Sequence, residues 1–430
     1  GINYDAVIKA DVSGNSSNAF KLDNQNTVYG VNSITQGIAV TFLLGSFGAD
    51  TANKGTSIEE LKLQMIKPDS FNHNEINGAL DNLEDHAHYL HSTSIPAKRY
   101  WFETTPNINI LLNSAKSGIS KEEINSEIIR RLNESAQARG KFNILIDPAF
   151  DIPEQKELTL IILKPANLFS NSELNRTASD SIKKFATKRG TNDRIYRNTM
   201  LFLLPSEGGL DRLSGSVKDY LANSKVLTDY SSQLNQEQKE DIRKKINELS
   251  KQFDSLLGTA YSAVAKHSSS NGIQVHEIKL FKDKFNQQID ESIYTELKNE
   301  EWITEGVGVN LLKNNNLYPS LNSPIKCKDI YEAFLRYDDK PMINGMIAVQ
   351  NSLMKYCQSG EFAIAAGKKN EYNSIYYKQS VPGFDVTDET FWVVDKAEYL
   401  AQANVVGNGN GNYTTIPTSD TSEGTEVEDQ

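Results

Sequence analysis

Several things are scarce in this chain of 430 residues, and each scarcity closes a class of explanation. There are only two cysteines, Cys327 and Cys357, too few for a disulfide framework and without the paired spacing of a zinc motif. Reduced thiols in a cytoplasmic setting are the simplest expectation. No apolar run approaches the roughly 20 residues that span a bilayer. The longest, GIAVTFLLGSFGA, is short and broken by glycine, so no membrane partner is expected. The opening, GINYDAVIKADVSG, lacks a basic stretch followed by an apolar one and so does not read as a secretory leader. It begins inside a strand-like alternation (Ile2, Tyr4, Ala6, Ile8), and Gly1 reads as an expression scar on a piece of a longer protein. The phosphate-cradling pattern GxxxxGK[ST] is missing, no GxGxxG follows a strand-like run, and no GxSxG elbow stands out. No catalytic residue, cofactor or metal is therefore expected in this chain.

What is present is a polar globular composition, 38% hydrophobic and 23% charged, on a length that calls for two or three domains. The net charge is −11, and five of the acids responsible lie in residues 401–430, which hold no Lys or Arg. The remaining 400 residues carry −6, so global charge exerts no pull toward nucleic acid and only local basic patches could do so.

The expected fold is α/β, mixed α+β overall. Residues 1–30 read as a strand-rich segment. Residues 31–139 read as a winged-helix domain with connector helices: an apolar helix from Thr35, a capping box Ser57/Glu60 opening a second helix that stops at Pro68, and a stripe Ile76, Leu80, Leu83, Ala87, Leu90 on a third. A hairpin, YLHSTS–IPA–KRYWFE, follows, and a second box, Ser120/Glu123, opens the connector. Residues 140–280 read as an α/β domain with a mostly parallel sheet, because KFNILID, ELTLIIL and NTMLFLLP are near-continuous apolar runs suited to strands buried on both faces. The stretch from Asn235 to His267 reads as one long helix there, and GIQVHEIKL as a further strand. A helical connector is expected over 281–324. Helix, Pro341-initiated helix and hairpin over 325–400 form a second winged-helix-like unit, and 401–430 is a flexible acidic tail.

Three constellations invite a chemical reading. LEDHAHYLH concentrates histidines and acids, and Glu84, His88 and His91 have spacing that could hold zinc. His86 and His88, however, lie about 200° apart on a helix, and His91 falls past the helix end, which favours a structural role. LLPSEGG, after a strand, could be a degenerate ligand loop at Ser206–Gly209. The strongest basic cluster is SIKKFATKRGTNDRIYR, where Lys183, Lys184, Lys188, Arg189, Arg194 and Arg197 face only Asp193. It suits a phosphate-binding surface for nucleic acid or nucleotide. Lys355, Lys368, Lys369 and Lys378 give the second winged-helix-like unit a smaller basic set. Residues 72–90, by contrast, hold Glu75, Asp81, Glu84 and Asp85 with no Lys or Arg, which disfavours a DNA groove.

Longer matches carry a resemblance. GADTANKGTSIEELKLQMIKPDSFNHNEINGALDNLEDHAHYLH followed by KRYWFETTPNINILL, with Tyr100, Trp101, Phe102, Pro106, Asn107 and Asn109, resembles a prokaryotic family of large predicted AAA+ ATPases of unknown function. These are often encoded beside DNA methylases and helicases in restriction or phage-defence clusters. Tyr196 to Ala222 and KPMINGMIAVQNSLMKYCQSGEFAIAAG extend the match to about residue 400. The resemblance implies that the ATPase module, with its ATP and magnesium, precedes residue 1. It implies further that this chain is a non-catalytic region coupling the motor to DNA or to other subunits of a modification or defence complex. A scaffold without DNA contact, or a degenerate nucleotide-binding domain, are the alternatives.

Overall fold

The computed structural model describes residues 3–47, 54–65, 72–93, 98–135, 140–278 and 285–400, with backbone alone over 285–290. The expected tail, 401–430, and the turn of the first hairpin lie outside the described residues. The protein is mixed α/β and folds into two compact units.

The first unit takes residues up to Ser135 and, after an interval in sequence, Ser206–Tyr261. It opens with helix, not strand: Asp5–Val7 runs into a π-helical turn, Ile8–Val12, then helices Asn18–Gln25 and Thr27–Asn32. This corrects the strand-rich expectation for residues 1–30. Val7, Val12, Ala19 and Leu22 pack inward from successive turns. Polar side chains cap the starts: Phe20 N donates to Ser17 Oγ at 3.2 Å and Val28 N to Asn26 Oδ1 at 2.9 Å. The apolar segment forms helix Ile34–Gly45, whose N-cap Ser33 sits at φ 47 and gives no side-chain cap. Asp23 does that work from a distance, accepting from Thr35 N (2.9 Å), Gln36 N (3.1 Å) and Gln36 Nε2 (3.2 Å). A carboxylate there meets both the orphan amides and the positive end of the helix dipole.

Both expected capping boxes form. Ser57 N donates to Glu60 Oε2 (2.8 Å) and Glu60 N to Ser57 Oγ (3.2 Å), opening helix Ile58–Met65. Ser120 and Glu123 do the same for helix Lys121–Ser135, at 2.7 and 3.1 Å. Helix His73–His86 buries Ile76, Ala79, Leu80 and Leu83. Strands Leu90–Thr93 and Arg99–Phe102 pair antiparallel, and Thr56–Ser57 adds a third strand against Arg99–Phe102.

Helices Glu207–Asp229 and Gln236–Ala260, expected inside the α/β domain, belong to this first unit instead. They pack on helices Ile108–Ser117 and Lys121–Ser135 around Leu111, Val226, Leu234 and Ile242. The Arg131 guanidinium lies over the rings of Tyr220 (4.8 Å) and Phe253 (4.5 Å) and donates to Ser250 Oγ (2.9 Å). Tyr89 Oη donates to Gln233 Oε1 at 2.7 Å, tying the helix pair to the hairpin.

The second unit holds a five-stranded sheet ordered Gly272–Glu277, Tyr261–Ser268, Met200–Pro205, Thr159–Ile162, Asn143–Ile146. The last three run parallel, as their apolar runs predict, and every residue of Thr159–Ile162 and Met200–Pro205 is buried. Helix Arg176–Thr187 packs on the sheet through Ala178, Ile182, Phe185 and Ala186. Tyr261–Ser268, expected as the end of the long helix, is a strand pairing antiparallel with Gly272–Glu277. The expected connector over 281–324 is no mere linker: Ile303–Thr304 pairs parallel with Met342–Ile343. That pairing also displaces the expected start at Pro341, and the helix runs Gly345–Ser359. It packs with helix Cys327–Arg336 against a sheet ordered Ile325–Lys326, Phe391–Val394, Ala363–Lys368, Glu371–Tyr376.

Asp23→Ala should lower stability by about 1–3 kcal/mol, because it orphans amides at a helix start. Urea unfolding read at 222 nm checks this; an unchanged midpoint would show that solvent caps the helix equally well.

Candidate functional site

The basic cluster divides into a buried brace and an exposed face. Helix Arg176–Thr187 ends in a tight hairpin, Lys188–Arg189 against Asn192–Asp193, with Gly190 supplying the positive φ (+57) at the first loop position. Arg194 is only 2% exposed, so it offers nothing to a phosphate. Its guanidinium donates to four main-chain carbonyls: Phe185 (2.9 Å), Ile152 (3.0 Å), Pro153 (3.2 Å) and Lys188 (3.2 Å). Burial draws down its hold on the proton, and Glu154, 3.7 Å away, opposes that loss. This removes Arg194 from the expected ligand set and makes it the support of the hairpin.

Arg197 is half-buried, its Nε donating to Arg194 O at 3.1 Å. Lys188 is exposed and paired with Asp193 (2.7 Å). Lys183, Lys184 and Arg189 are exposed, and Lys184 Nζ stands 3.9 Å above the Phe150 ring. The second set lies on other elements. Lys355 is exposed on helix Gly345–Ser359, Lys368 and Lys369 sit at the hairpin turn with Asn370 at φ 62, and Lys378 lies beside Tyr377, 5.9 Å from its ring.

The histidine-rich stretch is structural. The helix ends at His86, whose Nδ1 lies 2.8 Å from Asn82 O. His88 is half-buried, and burial holds its imidazole below the usual range while nearby Asp11 pulls the other way. His91 Nε2 meets Thr105 O at 3.0 Å and its ring stacks on Trp101. Among the described residues no three His, Cys, Asp or Glu side chains gather as a metal site would require. Cys327 and Cys357 are free and buried. The ligand loop expected at Ser206–Gly209 is instead the N-cap and first turn of helix Glu207–Asp229. A Cβ on Gly209 would stand 2.7 Å from Ala260 Cα, so the glycine lets two helices approach. Among the described residues no helix is long and apolar enough to cross a membrane.

One group escaped the sequence reading. Lys266, on strand Tyr261–Ser268, is 6% exposed and lines a cleft of about 740 Å³ together with Ser268, Trp302, Asp339 and Lys340. Its Nζ donates to Lys340 O at 2.9 Å. Burial lowers the amine to about 8, against the pull of Asp338 and Asp339. Asp338 is itself buried and fixes the adjoining turn, accepting from Ser269 N (3.0 Å) and Ser269 Oγ (2.8 Å), with His267 Nδ1 at 3.3 Å. The only local signal was a polar AKHSSSNG end to an apolar run, and helical reading of that run hid it.

Comparison with family models, with curated proteins and with solved structures finds no match to this chain. The site is therefore read from its own geometry.

Two outcomes are expected. Arg194→Ala should cost about 3–5 kcal/mol, since it leaves buried carbonyls without donors. Arg194→Lys, with one nitrogen in place of the fork, should recover only part of this in the same denaturation assay. Lys266 binds its proton less tightly folded than unfolded, so unfolding takes up a proton between about pH 8 and the ordinary lysine range near 10.4. Stability should rise across that window by up to about 3 kcal/mol, with the penalty fully present below it. Lys266→Met should lack this alkaline gain; superimposable pH profiles of the two proteins would refute the assignment.

Proposed function

We propose that this chain is a cytoplasmic coupling region of a larger AAA+ ATPase, placed after the motor module, that contacts nucleic acid in a DNA-modification or phage-defence complex. The observation that carries this is the exposed cationic face of Lys183, Lys184, Lys188 and Arg189 on a helix–hairpin whose base is locked by Arg194. A backbone held in this way presents its cations to phosphates without first having to be ordered. The resemblance to the AAA+ family supplies the setting. Element order supports reading both ends as winged helices. In the first unit, helix Ile34–Gly45, strand, two helices and a hairpin follow one another. From Ile325 onward come a strand, a helix, the short strand Met342–Ile343, a second helix and a hairpin with Lys368 and Lys369 at its tip.

A second role fits the first unit. Its helix His73–His86 is acidic, and Glu84 is engaged by Lys98 and Tyr100, both at 2.8 Å. Helix Ile34–Gly45 and its end leave Val40, Leu44 and Phe47 41%, 66% and 59% exposed at i, i+4 and i+7 spacing. An apolar stripe beside an acidic helix favours a protein neighbour over DNA for this unit. The motor-coupling side is assigned here, and the nucleic-acid side to the second unit.

Fluorescence anisotropy with a 20-base-pair duplex tests the reading. Binding should weaken as salt rises, with a log–log slope of about 0.9 per phosphate contact. K183E/K184E should weaken it at least ten-fold, and K368E/K369E less. Salt-independent binding, or undetectable binding at low salt of both this duplex and a single strand, would sink the nucleic-acid role and leave the scaffold.

A further inference from the structure

Arg197, the last cation of the basic cluster, lines a concave site. A cavity of about 360 Å³ is lined by Arg197, Ser269, Ser270, Arg336, Tyr337 and the Asp338–Asp339 pair. Three separate segments build it, and each is pinned. Arg197 lies between two buried residues of one connector, Arg194 and Asn198. Asn198 Nδ2 donates to the carbonyls of Phe334 (2.8 Å), Lys340 (3.2 Å) and Pro341 (3.3 Å), which holds that connector against the chain segment carrying Arg336 and Tyr337. Asp338 ties in the third segment, the Ser268–Gly272 turn, through Ser269.

The charges there are unequally spent. Asp338 is saturated by Ser269 and His267, Asp339 pairs with Lys340 at 3.3 Å, and Arg336 pairs with Glu332. Arg197 uses only Nε, on Arg194 O, so among the described residues its two terminal amino groups carry no hydrogen bond. Ser270 is exposed at the turn, with its hydroxyl 3.1 Å from that of Ser268. Tyr337 is 56% exposed, a large aromatic face left in water at the cavity wall, with Lys340 Nζ 4.9 Å from its ring. A free guanidinium fork, a hydroxyl and a largely exposed ring around one small concavity match a phosphate linked to a planar base.

We propose that this cavity receives one unpaired nucleotide of a single-stranded nucleic acid, its base laid on Tyr337 and its phosphate held by Arg197 and Ser270. The proposal rests on the nucleic-acid reading above and narrows it from duplex to single strand. Bases in a duplex are stacked inward and cannot enter a cavity of this size, whereas an unpaired base can be turned out into it. The Lys183–Arg189 face belongs to the same stretch of chain as Arg197, so the strand's neighbouring phosphates have cations to follow.

The test is anisotropy on the full 430-residue chain with labelled 20-mer oligo-dT and, separately, a 20-base-pair duplex. Oligo-dT should bind more tightly than the duplex. Tyr337→Ala should weaken oligo-dT about ten-fold while leaving both its salt slope and duplex binding unchanged, and Tyr337→Phe should retain affinity. Arg197→Gln should weaken oligo-dT and lower its salt slope by about 0.7, the loss of one phosphate contact on a single strand. Thermal melting should place the Tyr337→Ala midpoint with wild type, since the ring is exposed. Tyr337→Ala acting equally on both polymers, or on neither, while K183E/K184E still weakens binding, overturns the nucleotide cavity and leaves the basic face standing. Wild-type protein that binds neither polymer overturns both.

Discussion

Main-chain carbonyls shut off from water must find donors, and in the second unit two side chains on one short connector reach seven carbonyls in buried or partly buried contacts. Arg194 takes those of Ile152, Pro153, Phe185 and Lys188; Asn198 takes those of Phe334, Lys340 and Pro341. Neither residue is more than 2% exposed. A carbonyl left dry and unpaired costs on the order of 1–3 kcal/mol, so the loop before strand Met200–Pro205, the hairpin after helix Arg176–Thr187 and the end of helix Cys327–Arg336 are held as one piece. The residues proposed to meet nucleic acid lie on the segments it joins: Lys183, Lys184, Lys188 and Arg189 at the helix end and hairpin, Arg197 within the connector, and Tyr337 directly after helix Cys327–Arg336.

Charge works in the same economical way. The protein is acidic overall, and some of its surface charge is paired locally, as by Lys188 with Asp193 and Lys298 with Glu305. Exposed pairs of this kind add little stability. Arg197 differs from such exposed cations in being half-buried with a hydrogen bond on only one of its nitrogens among the described residues.

Local chemistry was legible in the sequence wherever a short pattern had one physical meaning. The Ser57/Glu60 and Ser120/Glu123 boxes cap helices as read, and the apolar runs ELTLIIL and NTMLFLLP are interior strands. The pairing of Leu90–Thr93 with Arg99–Phe102 followed from alternation. Misreadings arose where local preference and tertiary burial disagree. Alternation near Ile2 to Ile8 suggested strand, yet packing of Val7 and Val12 selects helix and a π turn. The alanines of AYSAVAKH extend a helical pattern, but their small side chains equally suit a strand buried on both faces. Arg194 looked like any other cation of its cluster, because a sequence shows that a guanidinium exists and not which carbonyls lie within its reach. Lys266 was invisible for the same reason: its environment is made by residues more than seventy positions away.

The interrupted first unit has a consequence for how the chain comes into being. Its core needs Val226, Leu234 and Ile242 beside Leu111, and these arrive only after the 136–205 stretch has been made. At roughly 5–20 residues per second, translation leaves the early helices waiting several seconds for partners. During that wait Leu111 and the apolar side of helix Lys121–Ser135 face water, and the emerging strands Asn143–Ile146 and Thr159–Ile162 have bare edges. Synthesis, more than equilibrium stability, is then where this architecture is most exposed to aggregation, and the stretch up to Pro205 is the part a chaperone would need to shield.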